Sequence, residues 1–318
     1  MTTLEQPTVS DAFQLLAKNT ELSLGEYNSI THSQADIERH LMQQLGTIST
    51  VLFGAFSRKT IVSPLQGSVV DMLVLFRGTD VKRMLPSRIF SELKGALLKE
   101  YPDAFALENR SILMLPMNRF YFKIQPAYPV SGHVYMLPDE NFNEWAKYDI
   151  TSYNDIFMKE NVRHKGKLIE IIRMINTWNR VSGNIFNGYY LELMVSAVLS
   201  SYEMTEHSHT LRQIFRSAVA EVVFQKHDPA NMDIQVEGLN EIDDLIKAMK
   251  LLQRSYALAD EAIMYEQDGN TKQALGCWNS LFPEVFPSQL DMMVGIARGS
   301  GIKGADALRM MVDNQQIT

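Results

Sequence analysis

The hydrophobic period of the chain changes once, near Thr151, and that change limits the folds available to it. Upstream, short apolar runs rich in β-branched residues and bounded by Gly and Pro read as strands. These are 49–53, 69–76, 111–115, 119–125 and a shorter one at 132–138. Two helical stretches lie among them. One follows Ser33-Gln-Ala-Asp36, a capping-box spacing, and places Ile37, Leu41 and Leu45 on one face. The other spans 86–100 with Ile89, Leu93, Leu97 and Leu98 on one side. Downstream the strand signals stop. Leu168, Ile171, Ile172, Ile175 and Trp178 mark a buried helix face. Helical patterns continue at 190–202, 211–224, 240–268 and 271–281. The expected architecture is an α/β core over 1–160 and an all-helical lobe over 161–318, and 318 residues suit two domains.

Charge and cysteine content narrow the function classes. With 30 basic and 37 acidic side chains the net charge is −7, the wrong sign for an extended nucleic-acid track. Cys277 is the single cysteine, so internal disulfides and multi-cysteine metal sites are excluded. It reads as a small hydrophobe beside Trp278. The first residues carry no basic segment followed by an apolar one, and no apolar run reaches bilayer length. The expectation is a cytoplasmic protein that does not engage a membrane. Glu206-His-Ser-His209 reads as a solvated linker, not a metal site, because no third ligand is near. His133 reads as a surface residue. The methionine pairs at 292–293 and 310–311 read as packing, and the polar 313–318 as a frayed end.

A strand, a Gly-containing turn and a second strand bearing an acid form the layout of a nucleotidyltransferase site. Gly54-Ala-Phe-Ser-Arg-Lys-Thr60 resembles the Gly-Ser-x-x-Arg-x-Thr turn that holds a triphosphate. Val69-Val-Asp71 followed by aliphatics resembles the Asp-x-Asp metal strand, and Lys123-Ile-Gln-Pro-Ala127 the strand of the third carboxylate. Tyr135-Met-Leu-Pro-Asp139 with Trp145, Arg173 to Trp178, His227-Asp-Pro229, and Glu266 to Pro287 match further segments in order. Together they resemble the bacterial CD-NTases, the cyclic-oligonucleotide synthases related to cyclic GMP–AMP synthase. That resemblance implies a polymerase beta-like nucleotidyltransferase core with a mixed sheet, a helical C-terminal lobe and a role in antiphage signalling.

The catalytic positions of that pattern are mostly changed. Ala55 stands for the turn serine, Val69 for the first metal carboxylate and Lys123 for the third. Asn176 stands for a triphosphate-binding lysine, and only Asp71 retains a metal ligand's chemistry. Two divalent ions need several hard oxygen donors. Lys123 is therefore expected to pair with Asp71 and take the place of the metal as its counter-charge. Asp80, Asp139 and Glu140 lack the alternate-strand spacing to substitute as ligands.

Two functional readings follow. In the first, the chain is a pseudoenzyme that uses no cofactor and binds a nucleotide, a cyclic oligonucleotide or a partner from a defence operon. Gly54, Ala55, Arg58, Thr60 and Asn176 are then the nucleotide-binding candidates. Arg58 and Lys59 are both placed to meet a phosphate, and Arg58 has a second use in stabilising the turn. In the second, the chain is an active synthase with Mg²⁺ or Mn²⁺ on Asp71 and unusual ligands. A scaffold without a nucleotide role is the third possibility.

Overall fold

The computed structural model describes residues 7–107, 111–139, 142–222, 224–229, 231–239 and 244–293. Its contacts divide the chain into two units. One comprises Glu21–Ile169 with Lys226–Val236; the other holds the first helix, Glu170–Gln225 and the helices after Glu237. The break falls after Ile169, later than the expected 160, and the division differs from a single break in two further places. The first helix groups with the helical segment, and a hairpin from the helical half groups with the sheet.

The sheet unit begins with α2 (Leu24–Leu45). Ser23 caps it, and the Glu26 carboxylate reaches back to the Ser23 N–H at 2.9 Å. The cap thus lies ten residues before Ser33, because Ser23 and Glu26 form a complete capping box and Ser33 lies inside the helix. Strand β1 (Ser49–Phe53) leads into the short helix α3 (Gly54–Ser57), then β2 (Ser68–Leu75), α4 (Gly78–Val81) and α5 (Pro86–Glu100). The two-residue β3 (Phe105–Ala106) precedes β4 (Leu113–Pro116), β5 (Phe120–Ser131), β6 (Val134–Pro138) and β7 (Trp145–Asp149). Helix α6 (Ile150–Arg163) is capped by Asp149, which accepts from the Thr151 N–H at 3.0 Å.

Seven strands form one mixed sheet in the order β1-β2-β5-β4-β3, with β6 joining β5 to β7. Only β2 and β5 run parallel. One face packs on α2 and α5: Ile30, Ile37 and Leu41 meet Leu93 and Leu97 over Val70, Met72, Phe122 and Ile124. Each large side chain withdrawn from water in this way contributes about 1.5–3 kcal/mol. Leu98, expected on the buried side of α5, is 37% exposed, since the core-facing stripe runs through Ile89, Leu93 and Leu97. On the opposite face a smaller cluster of Leu73, Leu75, Ala127, Tyr135 and Leu137 closes only the far end of the strands. The near end stays partly open.

The other unit is helical among its described residues, apart from one isolated bridge between Phe186 and Leu239. It contains α1 (Val9–Asn19), most of α7 (Lys167–Val181), α8 (Gly188–Ser200), α9 (His207–Glu221), α10 (Leu245–Gln267) and α11 (Thr271–Leu281). Ile171, Ile172, Ile175 and Trp178 are buried, as their spacing predicts. The Trp178 ring lies 5.1 Å from Phe215, and its Nε1–H donates to Ser255 Oγ at 3.0 Å. Phe13 of α1 packs edge-on against Trp278 at 4.9 Å and Phe286 at 5.4 Å. Strand structure does recur after Thr151: β8 (Lys226–Asp228) and β9 (Asn231–Val236) flank the Asp228-Pro229 turn. Three residues of β8 were too few to register as a period. The methionine pair at 310–311, residues 313–318 and Glu140 lie outside the described residues.

Candidate functional site

The glycine that ends β1 sets the geometry of the site. Gly54 has φ +64, a conformation that costs an L-residue about 1–2 kcal/mol, and a Cβ there would run into the Asp71 carboxylate. Behind it the turn closes on backbone groups. The Ala55 carbonyl accepts from the Thr60 N–H at 2.9 Å, the Ile61 N–H at 3.2 Å and the Thr60 hydroxyl at 3.3 Å. Thr60 is fully buried, so its hydroxyl serves the turn. Arg58 is also buried. Its guanidinium lies 4.9 Å from the centre of the Tyr153 ring and donates to Asn154 Oδ1 at 3.2 Å. Asn154 in turn donates to Ser57 Oγ at 3.3 Å. These contacts tie the turn to α6, which is the structural one of the two uses expected of Arg58. Lys59 is exposed.

Register brings the two central side chains together. Asp71 and Lys123 are Cα partners in the parallel β2–β5 pair, so their side chains leave the same face side by side. Lys123 Nζ stands 3.1 Å from Asp71 Oδ1, with the side chains 34% and 22% exposed. The expected pairing of Lys123 with Asp71 is present. Two residues earlier, Val69 is 40% exposed on the same face, with Tyr121 as its Cα partner. Met114 and Pro116 of β4 lie opposite Lys123 and Tyr121.

The donor set does not fit a pair of divalent ions. Asp71 is the sole carboxylate on this strand face, and one of its oxygens faces an ammonium. Among the described residues no three His, Cys, Asp or Glu side chains converge as metal ligands. Asp139 is engaged in its own turn, accepting from the Asn143 and Glu144 N–H groups at 2.7 and 3.0 Å. Asp80 accepts from the Thr79 hydroxyl at 2.8 Å.

Sequence reading missed two residues near this face. The Tyr148 hydroxyl of β7 donates to Asp228 Oδ2 of β8 at 2.8 Å. Burial first, then the Asp228 charge and its hydrogen bond, and then Asp71, push the Tyr148 phenol far above its ordinary range. Asp228 was visible as part of an Asp-Pro turn; Tyr148 gave no signal beyond its place in a short alternating run. Of the remaining candidates, Asn176 stands on α7 of the helical unit, its Oδ1 buried without a hydrogen-bond partner. His207 overturns the solvated-linker reading. It opens α9, is buried, stacks on Phe13 at 6.1 Å and meets Glu170 Oε2 at 2.9 Å. The helix begins four residues earlier than its apolar period indicates, and this brings His207 inward. His133 is exposed, as expected. Cys277 is half-buried, and burial raises its thiol pKa.

Comparison with known proteins gives this geometry its context. Residues 8–161 match the model of the Second Messenger Oligonucleotide or Dinucleotide Synthetase domain. A "probable cyclic nucleotide synthase" of Bacillus cereus (strain VD146) is 24% identical over 279 residues, spanning 75% of this chain and 82% of that protein. The structure of E. coli MS115-1 CdnC with ATP superposes with a TM-score of 0.68 at 13% identity, covering 89% of this chain and all of that one. CdnC in complex with HORMA-deltaN gives 0.66 at 13% identity, covering 89% and 99%. Residues 8–161 thus match a SMODS domain, and the chain carries the nucleotidyltransferase fold of these structures.

Proposed function

We propose that this chain is a pseudo-nucleotidyltransferase of bacterial antiphage signalling, acting in the cytoplasm by binding and not by polymerising nucleotides. The observation that carries the reading is the Lys123–Asp71 ion pair at 3.1 Å, where the family pattern has two carboxylates and metal ions. An ammonium beside the one retained carboxylate repels a divalent cation. Without it the attacking hydroxyl and the leaving pyrophosphate have no clamp. Each electrostatic element lost from such a site costs about 2.7–4 kcal/mol of transition-state stabilisation. Val69, Lys123, Ala55 and Asn176 together remove four. In place of catalysis the chain binds a nucleotide, a cyclic oligonucleotide or a protein, and so senses, sequesters or regulates. The solved relatives hold ATP in one case and a HORMA protein in another.

The name of the B. cereus relative favours a second reading, an active synthase with rewired ligands. One experiment separates them. The purified protein and Asp71→Asn are incubated with labelled ATP, GTP, CTP and UTP plus Mg²⁺ or Mn²⁺, and pyrophosphate and new products are read. The pseudoenzyme gives neither from either protein. Product that disappears in Asp71→Asn establishes the synthase.

A further inference from the structure

We infer that the open end of the sheet face is a metal-independent site for a nucleotide phosphodiester, a ligand with a planar ring and one charge per phosphate, and not for a nucleoside triphosphate. The inference rests on the non-polymerising reading and assigns a ligand class to the same site.

Side-chain alternation carries it. On β2 and β5 the residues Val70, Met72, Phe122 and Ile124 turn into the core, while Val69, Asp71, Tyr121 and Lys123 share the opposite face and are not buried. Met114 and Pro116 extend that face onto β4, half-buried and alternating with the buried Leu113 and Leu115. The surface therefore has two parts side by side. One is an ion pair of zero net charge whose ammonium has a single carboxylate oxygen within 3.1 Å and is a third exposed. The other is an apolar and aromatic step, Val69 beside Tyr121, with Pro116 as the next Cα partner of Tyr121.

Each part selects against a triphosphate. A metal-bound triphosphate needs hard cations and hydrated surroundings, and here it would meet Val69 and a neutral ion pair. Without metal, its several negative charges would have one ammonium to share with Asp71. A phosphodiester asks for less. One phosphate oxygen takes one charge-assisted hydrogen bond from Lys123, which has donors beyond the one aimed at Asp71. The attached base then covers Val69 and Tyr121, where aromatic and apolar surface suits a planar ring.

The test uses the full chain and two probes, cyclic di-AMP and ATP, each titrated by calorimetry with Mg²⁺ and with EDTA. Cyclic di-AMP should bind equally in both conditions, and more tightly than ATP in either. Lys123→Met should weaken it about tenfold, the loss of one charge-assisted contact. Asp71→Asn with Lys123→Met keeps the pair neutral and should show the same weakening in a protein more stable than Lys123→Met alone. Tyr121→Ala should weaken cyclic di-AMP more than ATP. Binding that requires Mg²⁺, or ATP binding more tightly than the dinucleotide, overturns the inference, and so does binding of neither probe. The pyrophosphate assay stands apart from these outcomes: silence there with no dinucleotide binding leaves the pseudoenzyme reading intact and removes this one.

Discussion

Removing the Lys123 ammonium measures what it does for Asp71. At 3.1 Å the two charges attract by about 1.3 kcal/mol in bulk water and about 5 kcal/mol at an effective dielectric near 20. Exposures of 34% and 22% place the pair between surface pairs, worth about 0–1 kcal/mol, and buried pairs, where losing one partner costs about 3–5 kcal/mol. Lys123→Met should therefore destabilise the protein by about 1–2 kcal/mol, mostly by leaving Asp71 without a counter-charge. Asp71→Asn should cost less, because an ammonium a third exposed keeps its contact with water. The double variant should recover part of the loss, giving a coupling of about 0.5–1.5 kcal/mol in a double-mutant cycle. Urea unfolding at neutral pH and low salt reads all three, with the slope watched for any departure from two-state behaviour. A coupling of zero, or an Asp71→Asn variant less stable than Lys123→Met, would refute the view that Lys123 is the counter-charge.

Gly54→Ala should lose at least about 1–2 kcal/mol in the same unfolding assay, from the left-handed backbone alone, before the clash with Asp71 is counted. Tyr148→Phe removes a donor from the buried Asp228 carboxylate and should cost about 1.5–3 kcal/mol, while Tyr135→Phe on the neighbouring strand costs less. Glu266 carries a prediction in pH. Burial raises its pKa above the ordinary 4.5, so the folded state holds that proton more tightly than the unfolded chain does. Its contribution is most favourable below 4.5 and is lost as pH rises through the folded value. Glu266→Gln should therefore raise the melting temperature at neutral pH and lose that advantage in acid; an advantage that grows in acid contradicts the sign.

Much of the sheet unit could be read before folding because its signals are local. Ser49–Phe53 is a short β-branched and apolar run that stops at Gly54, and Pro86 at the first turn announces α5. The pairing of Asp71 with Lys123 was readable for a different reason: both sit at fixed offsets from Gly54 and Pro126, so their register followed from the motif. What stayed hidden depends on tertiary placement. The β8–β9 hairpin is too short to show a period, and it joins the sheet through Tyr148 and Asp228, which lie 80 residues apart. His207 looks solvated in a polar stretch, yet the start of α9 turns it onto Phe13 and Glu170. The contacts of Arg58 with Tyr153 and Asn154, nearly a hundred residues downstream, were equally out of reach of local signals.

The central claim is that an ammonium has replaced the metal opposite Asp71, and Mn²⁺ binding tests it most directly. The full chain and Asp71→Asn are titrated with Mn²⁺, and the free ion is followed by electron paramagnetic resonance. The account predicts identical curves for the two proteins, with no site that depends on Asp71. A Mn²⁺ site present in the parent and missing in Asp71→Asn would contradict it.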